Sequence, residues 1–104
     1  MTTLLRFELP NELNHIRSCI MHTSKRAVQR LGVEFDEYAQ CEIISKIQSG
    51  ELEVFGRETT RHVWIRTKLE GKICFLLYNE ALETIQTIYS KKMIEKKRPY
   101  LRAA

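Results

Sequence analysis

The sequence predicts an α+β fold, with N-terminal helices packed on an antiparallel sheet of about four strands. Two observations predict it. Before Gly50 the apolar residues recur at helical spacing, and after it they alternate or run together as in strands. Helices therefore come first and an antiparallel meander follows, which is the α+β order. With 104 residues the chain is one domain, since two independent units would each be too small to stabilise easily. We assign residues 1–90 to that domain and 91–104 to a basic C-terminal tail.

Residues 3–9 alternate weakly through Leu5, Phe7 and Leu9 and are expected as a first strand, stopped by Pro10 and Asn11. Asn11 then caps a short helix carrying Leu13, Ile16 and Ile20 at helical spacing. Part of 16–21 fits an extended segment equally, so the sequence leaves open whether the first twenty residues begin as strand or helix. A helix over 23–31 follows, capped by Thr23 or Ser24, with Ala27, Val28 and Leu31 facing inward and Gly32 ending it. The next helix runs from about Asp36 to Ser49. Asp36 caps it, its buried stripe is Tyr38, Ala39, Ile43, Ile44 and Ile47, and Gly50 ends it. Its acidic residues cluster early, where the helix dipole favours them.

Glu53-Val54-Phe55 is a short strand ended by Gly56. Residues 59–69 are rich in β-branched and aromatic types, and Glu70-Gly71 is a two-residue hairpin turn. Residues 72–79 are nearly all apolar, as in a central strand covered on both faces. A turn begins at Asn79-Glu80, and 83–89 form the last strand. The tail is helical in propensity to Lys97 and broken by Pro99; it can dock on the body, dock on RNA or stay unfolded until bound.

The net charge of +4 is unevenly spread. Residues 1–90 sum to −1, with basic segments at 22–32 and 57–72 (+3 each) and an acidic block of −5 at 33–56. The tail carries +5. A dipolar body with two basic surfaces suits an anionic partner better than the mean charge indicates. No apolar run is long enough to span a membrane, and the N-terminus lacks a signal-peptide core, so a cytoplasmic location with no membrane partner is expected. Cys19, Cys41 and Cys74 each lie among apolar neighbours, without a CxxC pair or a ligand His at metal spacing, and are expected as reduced, buried thiols.

Three groups of residues carry possible chemistry. His22, Arg26 and Arg30 stand at i, i+4 and i+8, so a helix puts an imidazole and two guanidinium groups on one face. A solvated basic face explains this spacing too. Alternation after Gly56 puts Thr60, His62, Trp64, Arg66 and Lys68 on one strand face, opposite a core face of Val63, Ile65 and Leu69. Cations that track phosphates and a ring that stacks on bases suit single-stranded nucleic acid; an ordinary exposed sheet face is the alternative. On the last strand Thr87 is expected beside Ile85 and Tyr89, with Gln86 and Ile88 facing the other way. A hydroxyl and a phenol one pleat apart can bind a phosphate or relay a proton, although both are common strand residues.

Walker-type, dinucleotide-binding and HExxH motifs are missing, and no metal site or cofactor is expected. Metal-independent RNA cleavage remains open to such a chain. It needs a base for the 2′-hydroxyl, an acid for the leaving 5′-oxygen and cations for the phosphorane charge.

The succession His22-x3-Arg26-x3-Arg30-Leu31-Gly32-Val33, an acidic helix, a basic hairpin and Ile85-Gln86-Thr87-Ile88-Tyr89 resembles small bacterial proteins of the barnase–EndoU–colicin–RelE superfamily, over roughly residues 16–90. The resemblance implies N-terminal helices on an antiparallel sheet. It also implies a ribonuclease toxin of a toxin–antitoxin or contact-dependent inhibition system. By position it implies catalytic roles for His22, His62, Thr87 and Tyr89, and RNA or phosphate binding by Arg26, Arg57 and Arg61. The strand pattern adds Trp64 and Arg66 to the binding set. Close relatives often have Gly directly after Arg; here Leu31 intervenes, so Arg30 is a secondary site. The expected function is a metal-independent endoribonuclease toxin acting on tRNA, or on mRNA at the ribosome, and neutralised by a cognate antitoxin or immunity protein. The alternative is a non-catalytic nucleic-acid-binding or partner-binding accessory module, since a fold does not establish catalysis.

Overall fold

The computed structural model describes residues 2–98, with side chains from Asn11 to Arg98. Seven elements follow one another: α1 (Thr2–Leu31), α2 (Glu37–Gln48), β1 (Glu53–Arg57), β2 (His62–Leu69), β3 (Lys72–Asn79), β4 (Thr84–Ser90) and α3 (Lys91–Lys97). The strands form one antiparallel sheet in the order β1-β2-β3-β4. The α+β arrangement of N-terminal helices on a four-stranded antiparallel sheet is thus observed.

The N-terminal expectation is corrected. Residues 3–9 are not a strand, and Asn11, Thr23 and Ser24 start no helix, because α1 runs unbroken through all of them. Pro10 lacks an N–H and forgoes one helical hydrogen bond, yet does not end the helix. Thr23 and Ser24 are not caps because their hydroxyls are engaged across the fold. Thr23 Oγ1 donates to the Ile85 carbonyl at 3.1 Å, and Ser24 Oγ donates to the Phe35 carbonyl at 2.9 Å. Gly32, at φ +67°, ends α1 in the left-handed region, its N–H donating to the Val28 carbonyl at 2.9 Å. Lys72 Nζ donates to the Leu31 carbonyl at 2.6 Å and meets the negative end of the helix.

Asp36 caps α2 as expected, accepting from the Ala39 N–H at 2.9 Å. The hairpin turn at Glu70-Gly71 has positive φ at both residues, 51° and 79°, the geometry of a type I′ turn. Asn79 Oδ1 accepts from the N–H groups of Ala81 and Leu82 and shapes the turn into β4. Strand β1 continues through Gly56 to Arg57 with an irregularity between Val54 and Gly56, rather than ending at Gly56. Strand β2 starts at His62, later than residue 59.

Two apolar layers sandwich the sheet. On one side α1 and α2 bring Ala27, Val33, Phe35 and Ile43 against Val63, Ile65, Cys74, Leu76, Tyr78, Ile85 and Ile88. On the other, Ile94 of α3 covers Trp64 and Phe75, with Phe55, Ile73, Leu77 and Tyr89 around them. β3 therefore has both faces covered, which is why it is almost continuously apolar. Ile94 binds α3 to this second layer, so this part of the basic C-terminal segment docks on the body, one of the alternatives the sequence leaves open. The expected break at Pro99 lies outside the described residues.

Several expected core residues face solvent. Leu13, Val28 and Tyr38 are exposed, and Gln40 takes an inward place on α2 instead. Gln40 is buried because its Nε2 donates to the carbonyls of Ile20 and Phe35, both at 3.0 Å. Cys19 and Cys74 are buried free thiols, whereas Cys41 is free but exposed, against expectation. It lies on the solvent side of α2, one residue beyond the inward-facing Gln40. Burial pushes the Cys74 thiol up to about 12 and also raises Cys19. No helix among the described residues is long and apolar enough to cross a membrane.

Candidate nucleic-acid cleft

An open cleft of about 460 Å³ lies where α1 passes β4. It is lined by Ser18, Cys19, His22 and Arg30 from α1 and by Gln86, Thr87 and Tyr89 from β4. Helical spacing supplies the α1 wall: Ser18, His22 and Arg30 lie on one i, i+4 row, on which Arg26 falls beside the cleft.

A β-bulge supplies the other wall. Tyr78 pairs with Ile85 and Leu77 with Thr87, so Gln86 is the extra residue of β4. Ile85 and Ile88 consequently both enter the helix-side core, and Thr87 does not share a face with Ile85 as strict alternation predicts. Thr87 and Tyr89 are turned toward the cleft, and Gln86 joins its lining.

His22, Arg30 and Thr87 meet directly. His22 Nε2 lies 3.2 Å from Thr87 Oγ1, and Arg30 Nη1 donates to the same oxygen at 3.3 Å and to the Ile88 carbonyl at 2.8 Å. The Thr87 hydroxyl accepts from Arg30 and keeps one lone pair and its hydrogen for His22 Nε2. The environment of His22 favours the neutral imidazole. Partial burial, then the charges of Arg26, Arg30 and Lys25, hold its pKa below the ordinary 6.5. The Arg30 guanidinium also lies 5.3 Å from the centre of the Tyr89 ring, and Lys97 Nζ from α3 lies 5.6 Å from it. The cleft thus combines an imidazole whose neutral form is favoured, a hydroxyl, a phenol and the Arg30 guanidinium, with Lys97 beside the Tyr89 ring.

The remaining predicted site residues lie elsewhere. Arg26 donates to Gln29 Oε1 at 2.5 Å; it stands beside the cleft and acts on His22 by its charge. His62 does not line the cleft but reaches it through Gln86, its Nε2 lying 3.1 Å from Gln86 Oε1. Arg57 is paired with Glu80 at 3.0 Å and also donates to the carbonyls of Thr59 and Thr60. Arg61 is exposed. Arg66 faces Glu53 at 3.4 Å and lines a separate small pocket with Phe55 and Phe75.

Trp64 is the clear exception to the expected basic and aromatic strand face. Its indole is fully buried beneath Ile94, lies 4.9 Å from the Tyr89 ring at an interplanar angle of 41° and donates through Nε1 to Glu58 at 2.8 Å. Since α3 covers it, the ring cannot stack on a base in this structure. Ser18, Cys19 and Gln86 were missed. The helical spacing to His22 would have found Ser18; nothing local marks the bulge at Gln86. Among the described residues no group of three or more His, Cys, Asp or Glu side chains is arranged to hold a metal ion.

Compared with protein-family models, with curated proteins and with solved structures, the chain has no match.

Proposed function

We propose that this chain is a metal-independent endoribonuclease, with the His22–Arg30–Thr87 meeting point as its reaction centre. The observation that carries the reading is this convergence of an imidazole and a guanidinium on one hydroxyl, at the wall of an open cleft. His22 takes the proton from the 2′-hydroxyl, whose oxygen attacks the adjacent phosphorus. Arg30 neutralises the charge that grows on the phosphorane oxygens, and Thr87 donates a hydrogen bond there. The bond from phosphorus to the 5′-oxygen breaks, and the Tyr89 phenol donates a proton to that oxygen. The products are a 2′,3′-cyclic phosphate and a free 5′-hydroxyl.

This reading carries a cytoplasmic RNA target, either tRNA or mRNA on the ribosome, and a cognate antitoxin or immunity protein that covers the cleft. The test is cleavage of total RNA by the purified chain in buffer containing a chelator, with end-group analysis of the fragments. His22→Ala should lower the rate about 100-fold or more. Undiminished cleavage by that variant, or RNA binding without cleavage by the parent chain, rejects the reading. The second result would leave a non-catalytic binding module.

A further inference from the structure

We propose that Gln86 reads the base next to the bound phosphate, and that His62 and Thr59 are positioning residues for it. The inference rests on the ribonuclease reading for its ligand, but its structural basis is separate. Thr59 Oγ1 accepts from two backbone N–H groups, that of Arg61 at 3.2 Å and that of His62 at 3.1 Å. Its lone pairs are thereby engaged, and its one hydrogen remains to donate. The atom it meets is His62 Nδ1, at 2.8 Å. Nδ1 is therefore an acceptor, and the ring proton sits on Nε2, which donates to Gln86 Oε1 at 3.1 Å.

That chain of bonds decides which end of the Gln86 amide is free. Oε1 is held by His62, and no described residue accepts from the Nε2 amide hydrogens. Gln86 belongs to the bulge of β4 and lines the cleft beside Thr87. The cleft therefore offers a hydrogen-bond donor that no described residue satisfies. A base edge that presents a carbonyl oxygen, as uracil and guanine do, satisfies that donor. Where uracil carries O4 and guanine O6, cytosine and adenine carry an exocyclic amine, and docking that position on Gln86 sets donor against donor. The inferred preference is for keto over amino bases flanking the cleaved phosphate. It also explains why His62 is held by both ring nitrogens and yet does not line the cleft.

The experiment uses the full chain and four oligonucleotides that differ only in the base 5′ to a single cleavable linkage. The parent should cleave the uracil and guanine substrates about tenfold faster than the cytosine and adenine ones, the discrimination of one good base contact. Gln86→Glu keeps an acceptor for His62 but replaces the donor with an oxygen, and should reverse the order. Gln86→Leu and His62→Ala should flatten it. The ratio between substrates is internal, so a general loss of folding or affinity does not mimic it. Nitrogen NMR of the free protein should find the His62 proton on Nε2. A parent that cleaves all four equally, a Gln86→Glu variant that keeps the keto preference, or a His62 proton on Nδ1 overturns the inference while leaving the ribonuclease reading intact. A parent that cleaves none of them overturns the ribonuclease reading, and the base preference with it.

Discussion

His22 is where charge and geometry combine most directly. It opens toward the cleft among three positive side chains, and burial and those charges disfavour its protonation. An imidazole that stays neutral into mildly acidic solution suits a general base. Arg26 acts on it through space without lining the cleft. Replacing it with Gln should therefore raise the His22 titration midpoint, read by proton NMR of the ring, without displacing the contact to Thr87. No change in the midpoint would mean that solvent screens Arg26 from His22. Spacing along α1 made this residue set legible, because i, i+4 neighbours share a helix face in any helix. It did not reveal that His22 and Arg30 share Thr87 as a partner, which lies 65 residues from His22 along the chain.

At the level of elements, α3 changes the meaning of the strand before it. The pattern of β2 placed His62, Trp64, Arg66 and Lys68 on one face, and that parity is correct. Whether such a face meets water depends on what covers it. Seven residues of α3, through Ile94, convert part of it into a second core under which Trp64 is fully buried. Trp64→Ala should cost about 3–5 kcal/mol of stability, the range for removing a large buried aromatic side chain. Removing residues 91–104 should shift the Trp64 fluorescence to longer wavelength and lower the urea midpoint. An unchanged emission maximum after truncation would show that α3 does not shield the indole. Ser90 helps to start α3 by accepting from the Met93 N–H at 3.3 Å, a cap that local reading could have found.

The whole molecule measures 48 × 28 × 24 Å, and the 30-residue α1 accounts for most of its long axis. Its stability should carry the signature of His22. The folded state holds this pKa below the unfolded value, so between those two values the unfolded chain binds the proton and the folded chain does not. Stability attributable to this group is therefore complete above about pH 6.5 and declines as pH falls through that window. Urea unfolding of the parent and of His22→Gln at pH 7 and pH 5 checks the sign. The parent should lose more stability on acidification than the variant. An equal loss in both would assign the acid sensitivity to other groups.

The sequence by itself determined the order of elements from α2 to β4, the Asp36 cap, the Glu70-Gly71 turn and the shared face of His22 and Arg30. Each depends on residues within a few positions of one another, so local spacing and backbone preference suffice. Tertiary structure decided the rest. It carried α1 straight through Thr23 and Ser24, whose hydroxyls bond across the fold instead of capping a new helix. It buried Trp64 beneath a helix that begins 27 residues later. It created the bulge that turns Thr87 toward His22 and brings Gln86 to His62. A bulge is a mismatch between two paired strands, and burial is a relation between distant segments. Neither exists in any single stretch of chain, and so neither could be read from one.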